Sequence, residues 1–239
     1  IYVVDWYNPI TCHQDDFYRH PERDKTHGRI WRITPKTGAL KPPQLAKASI
    51  VELLDALAST ERWTRLKAKQ VLATRSSKEV LPALRSWTAP KGDDQGQRLL
   101  QAVLALAWMD LPDEPLIRQL MQVADHRARA YAARILGRWG LRLANSFELL
   151  ELAAMDNHPR VRMEAVLAAG QIPDPRSILV AASVAESPRD RWIDYAFSQA
   201  VHHLKPVWLP AFRRGEVDFG DRRRGLPAVL SQAGAQGLL

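Results

Sequence analysis

Residues 125–140 read DHRARAYAARILGRWG and residues 157–172 read NHPRVRMEAVLAAGQI. Both carry small and branched apolar residues at helical spacing, Ala132, Ala133 and Leu136 in the first and Ala165, Val166, Leu167, Ala168 and Ala169 in the second. Both contain Arg-x-x-Ala, starting at Arg129 and Arg162, and the same opening recurs at Arg65-Leu-Lys-Ala68. Arg98 and Arg191 begin similar helices with the alanine replaced or displaced. The intervals between these arginines are 33, 31, 33 and 29 residues, the length of one helix-turn-helix unit. A period in that range predicts a stacked array in which each unit covers its neighbour's apolar side. The expected fold is therefore mainly α, an α-solenoid of about five helix pairs whose second helices lie near 61–74, 95–109, 126–139, 158–170 and 189–204.

Further stripes fit this reading, Leu116, Ile117, Leu120, Met121 and Ala124 in one and Leu149, Leu150 and Ala153 in another. Ser49 with Glu52 and Ser76 with Glu79 have capping-box spacing, in which each side chain satisfies an orphan backbone N–H. Pro115, Pro159, Pro175 and Pro188 suit first turns, where a missing N–H costs nothing, and Gly140 and Gly170 suit helix ends.

The two quoted stretches resemble second helices of HEAT repeats, or of the armadillo-like arrays related to them. The resemblance covers about two-thirds of the chain and implies a docking scaffold. It also implies that Arg65, Arg98, Arg129, Arg162 and Arg191 form a side-chain ladder between repeats.

The front of the chain has a different period. IYVVDW at 1–6 alternates Tyr2, Val4 and Trp6 against Ile1, Val3 and Asp5, and RIWRI at 29–33 is a second strand ended by Pro35 and Gly38. Two strands alone are marginal in water, so a larger sheet is expected to complete them. The stretch DWYNPITCHQDDFYRHPERDKTHGRIWRITP resembles the end of a glucose/sorbosone dehydrogenase-like β-propeller, as in large membrane-bound dehydrogenase-like proteins of planctomycetes. In those proteins a propeller precedes HEAT-like repeats and a c-type haem domain. The resemblance implies that this chain is a fragment, a β-hairpin remnant of a propeller plus the helical module. It further implies an exported, periplasmic or cell-envelope parent using pyrroloquinoline quinone (PQQ) or haem c. Catalysis and cofactors belong on this reading to other parts of the parent, with no cofactor in the fragment itself.

The loop joining the strands is dense in potential ligands: His13, Asp15, Asp16, His20, Asp24 and His27. Imidazoles and carboxylates could hold a divalent cation, with His13, Asp15, Asp16 and His20 as the candidate set. The alternative is that Arg19, Arg23 and Arg29 pair with Asp15, Asp16 and Asp24 and fix the long excursion. A third role, contact with a substrate of the parent through the 7–28 loop, follows from function residing on loops of rigid scaffolds.

The net charge of +8 is thinly spread: residues 1–44 carry 7 basic and 5 acidic side chains, 45–204 carry 21 and 18, and 205–239 carry 6 and 3. The single Cys12 excludes a disulfide framework and a Cys-x-x-Cys-His haem site within this stretch. The longest apolar run, Ala102 to Met109, falls far short of the ~20 residues of a membrane span. Phosphate loops, nucleophile elbows and His-Glu-x-x-His helices are absent from the sequence. His202 and His203 point about 100° apart on a helix, which disfavours a joint metal site and suits a helix end.

The second helices also carry Trp63, Trp108, Tyr131, Trp139, Trp192 and Tyr195 among Lys67, Lys69, Arg134 and Arg138. Aromatics at helical spacing are expected in the core. The alternative places Lys67, Lys69, Arg134, Arg138 and Trp139 on a concave face that grips a protein or, through its basic charge, nucleic acid.

The expected organisation is thus a propeller hairpin and loop at 1–38, a linker at 39–48, HEAT-like pairs at 49–204 and an irregular extension with short helices at 205–239. The expected function is a scaffold holding protein domains, its own propeller and haem domain or another protein.

Overall fold

The computed structural model describes residues 1–5, 20–38, 41–89 and 92–238. They form two compact units, Ile1–Pro43 and Gln44–Leu239.

The first unit is built on an antiparallel pair, β1 (Tyr2–Asp5) and β2 (Arg29–Arg32), with Tyr2 opposite Arg32, Val3 opposite Trp31, Val4 opposite Ile30 and Asp5 opposite Arg29. Directly opposed residues share a face. One face therefore carries Tyr2, Val4 and Ile30, and the other carries Val3 and Trp31, flanked by Ile1 and Ile33. All seven are exposed. Asp5 fixes the register at one end, pairing with Arg29 at 2.6 Å and accepting from Trp31 Nε1 at 3.1 Å. Trp6, expected to extend the first strand, lies outside the described residues.

The second unit is an α-solenoid. Its helix pairs are α1 (Ile50–Leu57) with α2 (Arg62–Leu72), α3 (Ser77–Thr88) with α4 (Gln95–Met109), α5 (Glu114–Leu120) with α6 (His126–Trp139), α7 (Ser146–Ala154) with α8 (Pro159–Gly170), and α9 (Ser177–Ala185) with α10 (Arg191–Arg213). A short helix, α11 (Leu226–Gln232), follows. Second helices pack on second helices, α6 on α8 and α8 on α10 most closely, while α7 packs on α9 in the other layer. Alanine makes this approach possible: Ala132, Ala133, Ala165, Ala168 and Ala169 are all buried. Between α6 and α8 the closest approach lies at Gly137, where a Cβ would stand 2.6 Å from the Ala168 Cα.

One apolar core runs from Leu45 to Ala200, and a second joins Ile178, Phe197, Trp208, Phe219 and Leu230 around α9, α10 and α11. Each fully buried leucine in them contributes about 2 kcal/mol. Ser49 and Glu52 form a complete capping box on α1. Ser76 does not: its side chain makes no cap bond, and the Glu79 N–H goes to the Ser76 carbonyl instead. Gly140 ends α6 at φ +47°, a conformation that glycine adopts without strain.

The fifth pair is longer than the periodicity suggests, because α10 continues past residue 204 through Pro206 and Pro210 to Arg213. Burial of Trp208, Leu209 and Ala211 in the second core outweighs the N–H groups those prolines lack. His202 and His203 consequently sit in mid-helix, not at a helix end.

Candidate functional site

The loops between paired helices and the first turns of the second helices form a repeating polar seam. Arg65 Nη1 donates to the carbonyls of Ser59 and Thr60, both at 2.7 Å. Arg129 Nη1 does the same to Val123 and Ala124, at 2.9 and 2.8 Å, and Arg162 Nη1 to Asp156 and Asn157, at 2.8 and 3.1 Å. These carbonyls close each interhelical loop, and an arginine five and six residues on reaches back to them. Two of the three also cross to the next repeat. Arg129 binds Asp156 at 2.7 and 3.0 Å and Asn157 at 3.2 Å, and Arg162 Nη2 donates to the Pro188 carbonyl at 2.8 Å.

Arg98 and Arg191 behave differently. Arg98 pairs with Asp94 on its own helix at 2.6 Å and covers the Trp87 ring. Arg191 lies over the Trp192 ring at 4.5 Å. The helix N-caps explain why. Arg65, Arg98, Arg129 and Arg162 each stand four residues after an N-cap: Glu61, Asp94, Asp125 and His158. The fifth N-cap is Asp190, so the equivalent position is Asp194, and Arg191 is three residues out of register. Asp194 pairs there with Arg189 at 3.0 Å, a reversed charge pair at the same place in the repeat.

The two layers carry opposite charge. The second helices α2, α4, α6, α8 and α10 hold 14 basic residues against 2 acidic ones, Glu164 and Asp194. The first helices hold 3 basic and 6 acidic. Some of the basic charge is spent internally. Arg134 binds the buried Glu164 on the next repeat, Nε to Oε2 at 3.0 Å, and Arg127 binds Asp125, whose carboxyl it holds down at about 2. Lys69 is half-buried, with Nζ 3.4 Å from Gln101 Oε1; burial and then Arg65 lower its pKa. Arg62, Lys67, Arg160 and Arg191 have no acidic partner among the described residues.

Aromatic residues expected in the core line this layer instead. Trp63 is 53% exposed, Trp108 51%, Trp192 59% and Tyr195 65%. Tyr131 is partly buried, and its phenol pKa is raised by that burial. Trp139 does lie in the core, as expected, and not on the partner-binding face where the alternative placed it: it is 1% exposed. Its indole N–H donates to Asp110 Oδ1 at 3.2 Å, which satisfies the one polar atom that burial would strand. Arg138, 3.7 Å from Asp110, remains at the surface beside it.

An open groove of about 280 Å³ runs between α8 and α10, lined by Leu167, Gly170, Gln171, Ala196, Gln199, Ala200 and His203. Glycine and alanine make its floor low, and the longer side chains form its walls.

In the first unit, His13, Asp15, Asp16, Arg19 and Cys12 lie outside the described residues. His20 is described, and its Nδ1 accepts from the Glu22 N–H at 3.2 Å. Asp24 closes a local turn, accepting from the N–H groups of Thr26 and His27 at 2.9 and 3.0 Å, with its other oxygen 2.8 Å from His27 Nδ1. The Thr26 N–H above all holds this carboxyl down at about 2. Arg29 reaches Asp5 on the facing strand; Asp15 and Asp16, two of the loop aspartates expected to pair with the arginines, lie outside the described residues. No group of three or more potential metal ligands comes together among the described residues. Among them, too, no helix is long and apolar enough to cross a membrane.

Comparison with known families matches residues 114–201 to HEAT repeats. That span covers the third and fourth helix pairs and the fifth as far as Val201. Comparison with curated proteins gives no match.

Proposed function

We propose that the solenoid is a protein-docking scaffold and that its second-helix layer is the docking surface. The observation that carries this reading is the exposure of Trp63, Trp108, Trp192 and Tyr195 on a layer with 14 basic and 2 acidic residues, outside a core already closed beneath it. Exposed aromatics beside arginine are the residue types that anchor protein interfaces. The HEAT-repeat match supports the same function. A photo-crosslinking residue at Trp63, Trp108 or Trp192 should yield a discrete protein adduct in the protein's own cells, whereas one at Leu141, exposed but off this layer, should not. Adducts to nucleic acid, or equal adducts from Leu141, would reject the reading.

A second reading concerns the hairpin. Its apolar residues stand exposed on both faces, the pattern of a sheet covered from both sides. That pattern supports a place in a larger sheet; that the sheet is the propeller end of an exported dehydrogenase-like protein using PQQ or haem c rests on the sequence resemblance alone. Amide exchange tests it: in a protein that includes the residues preceding Ile1, the Ile30 and Trp31 amides should exchange at least about a hundredfold more slowly than in this chain. Equal rates would reject it.

A further inference from the structure

The docking reading leaves the partner's chemistry open, and the groove between α8 and α10 narrows it. Both helices bring an exposed arginine to their first turns, Arg160 on α8 and Arg191 on α10, and neither meets a carboxylate among the described residues. Helix stability does not ask for them, because a cation opposes the dipole at a helix N-terminus by about 0.3–1 kcal/mol. Arg191 is also held in place, its guanidinium stacked on Trp192 at 4.5 Å. Further along the same helices the surface turns apolar. Leu167 lies on the same face of α8 as Arg160, seven residues on, and the groove floor of Gly170, Ala196 and Ala200 lies beside it. At about 1.5 Å per residue, Arg160 stands roughly 10 Å along α8 from Leu167, and Arg191 reaches this side of α10 through the Trp192 ring on which it stacks, seven residues before the groove residue Gln199. An extended chain covers either distance in about three residues.

Resting on the docking reading, we propose that this site binds an acidic segment of a partner protein, in extended form. Carboxylates of the segment pair with Arg160 and Arg191, and one large apolar side chain three or four residues away fills the groove between Leu167, Ala196 and Ala200. Charge complementarity selects this occupant: Arg160 and Arg191 are unpaired among the described residues, while the two acids on the same helices are engaged, Glu164 by Arg134 and Asp194 by Arg189. A nucleic acid is the weaker fit. Arg98, Arg127, Arg129 and Arg134, which could otherwise follow a phosphate backbone, are already bound to Asp94, Asp125, Asp156 and Glu164. The groove itself offers an apolar floor where a backbone-binding surface would be basic.

The test uses two fluorescein-labelled probes of opposite chain direction, Gly-Asp-Glu-Asp-Gly-Ser-Phe-Leu-Gly and its reverse, titrated by anisotropy against the whole chain. One of them is expected to bind with Kd of about 100 micromolar or tighter. Replacing its acids by amides, its Phe by Gly, or the protein's arginines by the exposed double change Arg160→Glu and Arg191→Glu should each weaken binding at least about tenfold. Leu167→Glu, at a site open to solvent, should do the same without unfolding the chain, as circular dichroism will show. Failure of both probes, or binding indifferent to these changes, overturns the proposal. So does retention on duplex DNA that is lost in Arg160→Glu/Arg191→Glu while peptide binding persists. If the probes fail but the crosslinker at Trp108 still captures a protein, the scaffold stands and only this assignment falls.

Discussion

Arg129 and Asp156 are joined across the boundary between the third and fourth helix pairs by two parallel hydrogen bonds, Nε to Oδ2 at 2.7 Å and Nη2 to Oδ1 at 3.0 Å. Both side chains are largely buried, and the same guanidinium holds the Val123 and Ala124 carbonyls of the loop between α5 and α6. Arg129→Ala therefore strands a carboxylate and two carbonyls together, and should cost about 3 kcal/mol in urea unfolding. Arg65→Ala releases only the carbonyls of Ser59 and Thr60 and should cost about 1 kcal/mol. A double-mutant cycle with Asp156→Asn should return a coupling of roughly 1–2 kcal/mol; additivity would show that the bridge does not link the repeats.

Across the same boundary the His126 and His158 rings stack with centroids 3.6 Å apart and planes 7° from parallel. His158 Nδ1 accepts the Arg160 N–H as the N-cap of α8, a bond only the unprotonated nitrogen can make. Burial lowers the pKa of His158, His126, Arg129 and Arg162 lower it further, and Asp156 opposes them. With the folded value below the unfolded one of about 6.5, the unfolded chain takes the proton first. The stabilisation is then complete above that value and is lost as pH falls through the folded pKa. The urea midpoint should drop between pH 7 and pH 5, and His158→Asn, which caps without titrating, should flatten the decline.

Gly137→Ala pits helix propensity against space. Alanine gains about 1 kcal/mol within a helix, but its Cβ would meet the Cα, Cβ and carbonyl oxygen of Ala168 at 2.6, 2.8 and 2.9 Å. Backbone cannot swing aside as a side chain can, so α6 and α8 must separate, and a net loss of about 2 kcal/mol is expected. Gly96→Ala in α4 meets its nearest atom at 3.6 Å and should instead gain about 0.5 kcal/mol. Thermal midpoints of the two variants should move in opposite directions.

The five helix pairs were legible because the feature that makes repeats stack, small residues facing each other at a fixed interval, is written once per repeat. The faces were harder. Helical spacing says that Trp63, Trp108, Trp139 and Trp192 each lie on some stripe, but burial depends on whether the next repeat covers that stripe. Trp139 is covered and has Asp110 to take its N–H; the other three stand outside. Counting from the N-caps at Asp125, His158 and Asp190 would have placed Asp194, not Arg191, in the ladder. The charge division between layers was also present in the sequence, but summing over 45–204 averages the basic helices with the acidic ones that alternate with them.

The proline pair in α10 shows packing overriding a local stop signal, and it can be tested. Pro206 and Pro210 deprive the His202 and Pro206 carbonyls of their helical donors, yet the helix runs on to Arg213. What holds it is downstream: Trp208 is fully buried with its Nε1 donating to the Val201 carbonyl at 3.3 Å, and Phe212 meets Phe219 edge-on at 5.5 Å. Trp208→Ala should therefore cost about 3–5 kcal/mol and release the segment after residue 204, visible as fast amide exchange from Val207 to Arg213. Pro206 is exposed and packs against little, so Pro206→Ala restores a donor without opening a cavity. The restored bond and helix propensity outweigh the roughly 1 kcal/mol by which proline restricts the unfolded chain, and a gain of about 1–2 kcal/mol is expected in thermal unfolding. A loss on Pro206→Ala would mean that the proline sets a bend on which the seating of Trp208 depends.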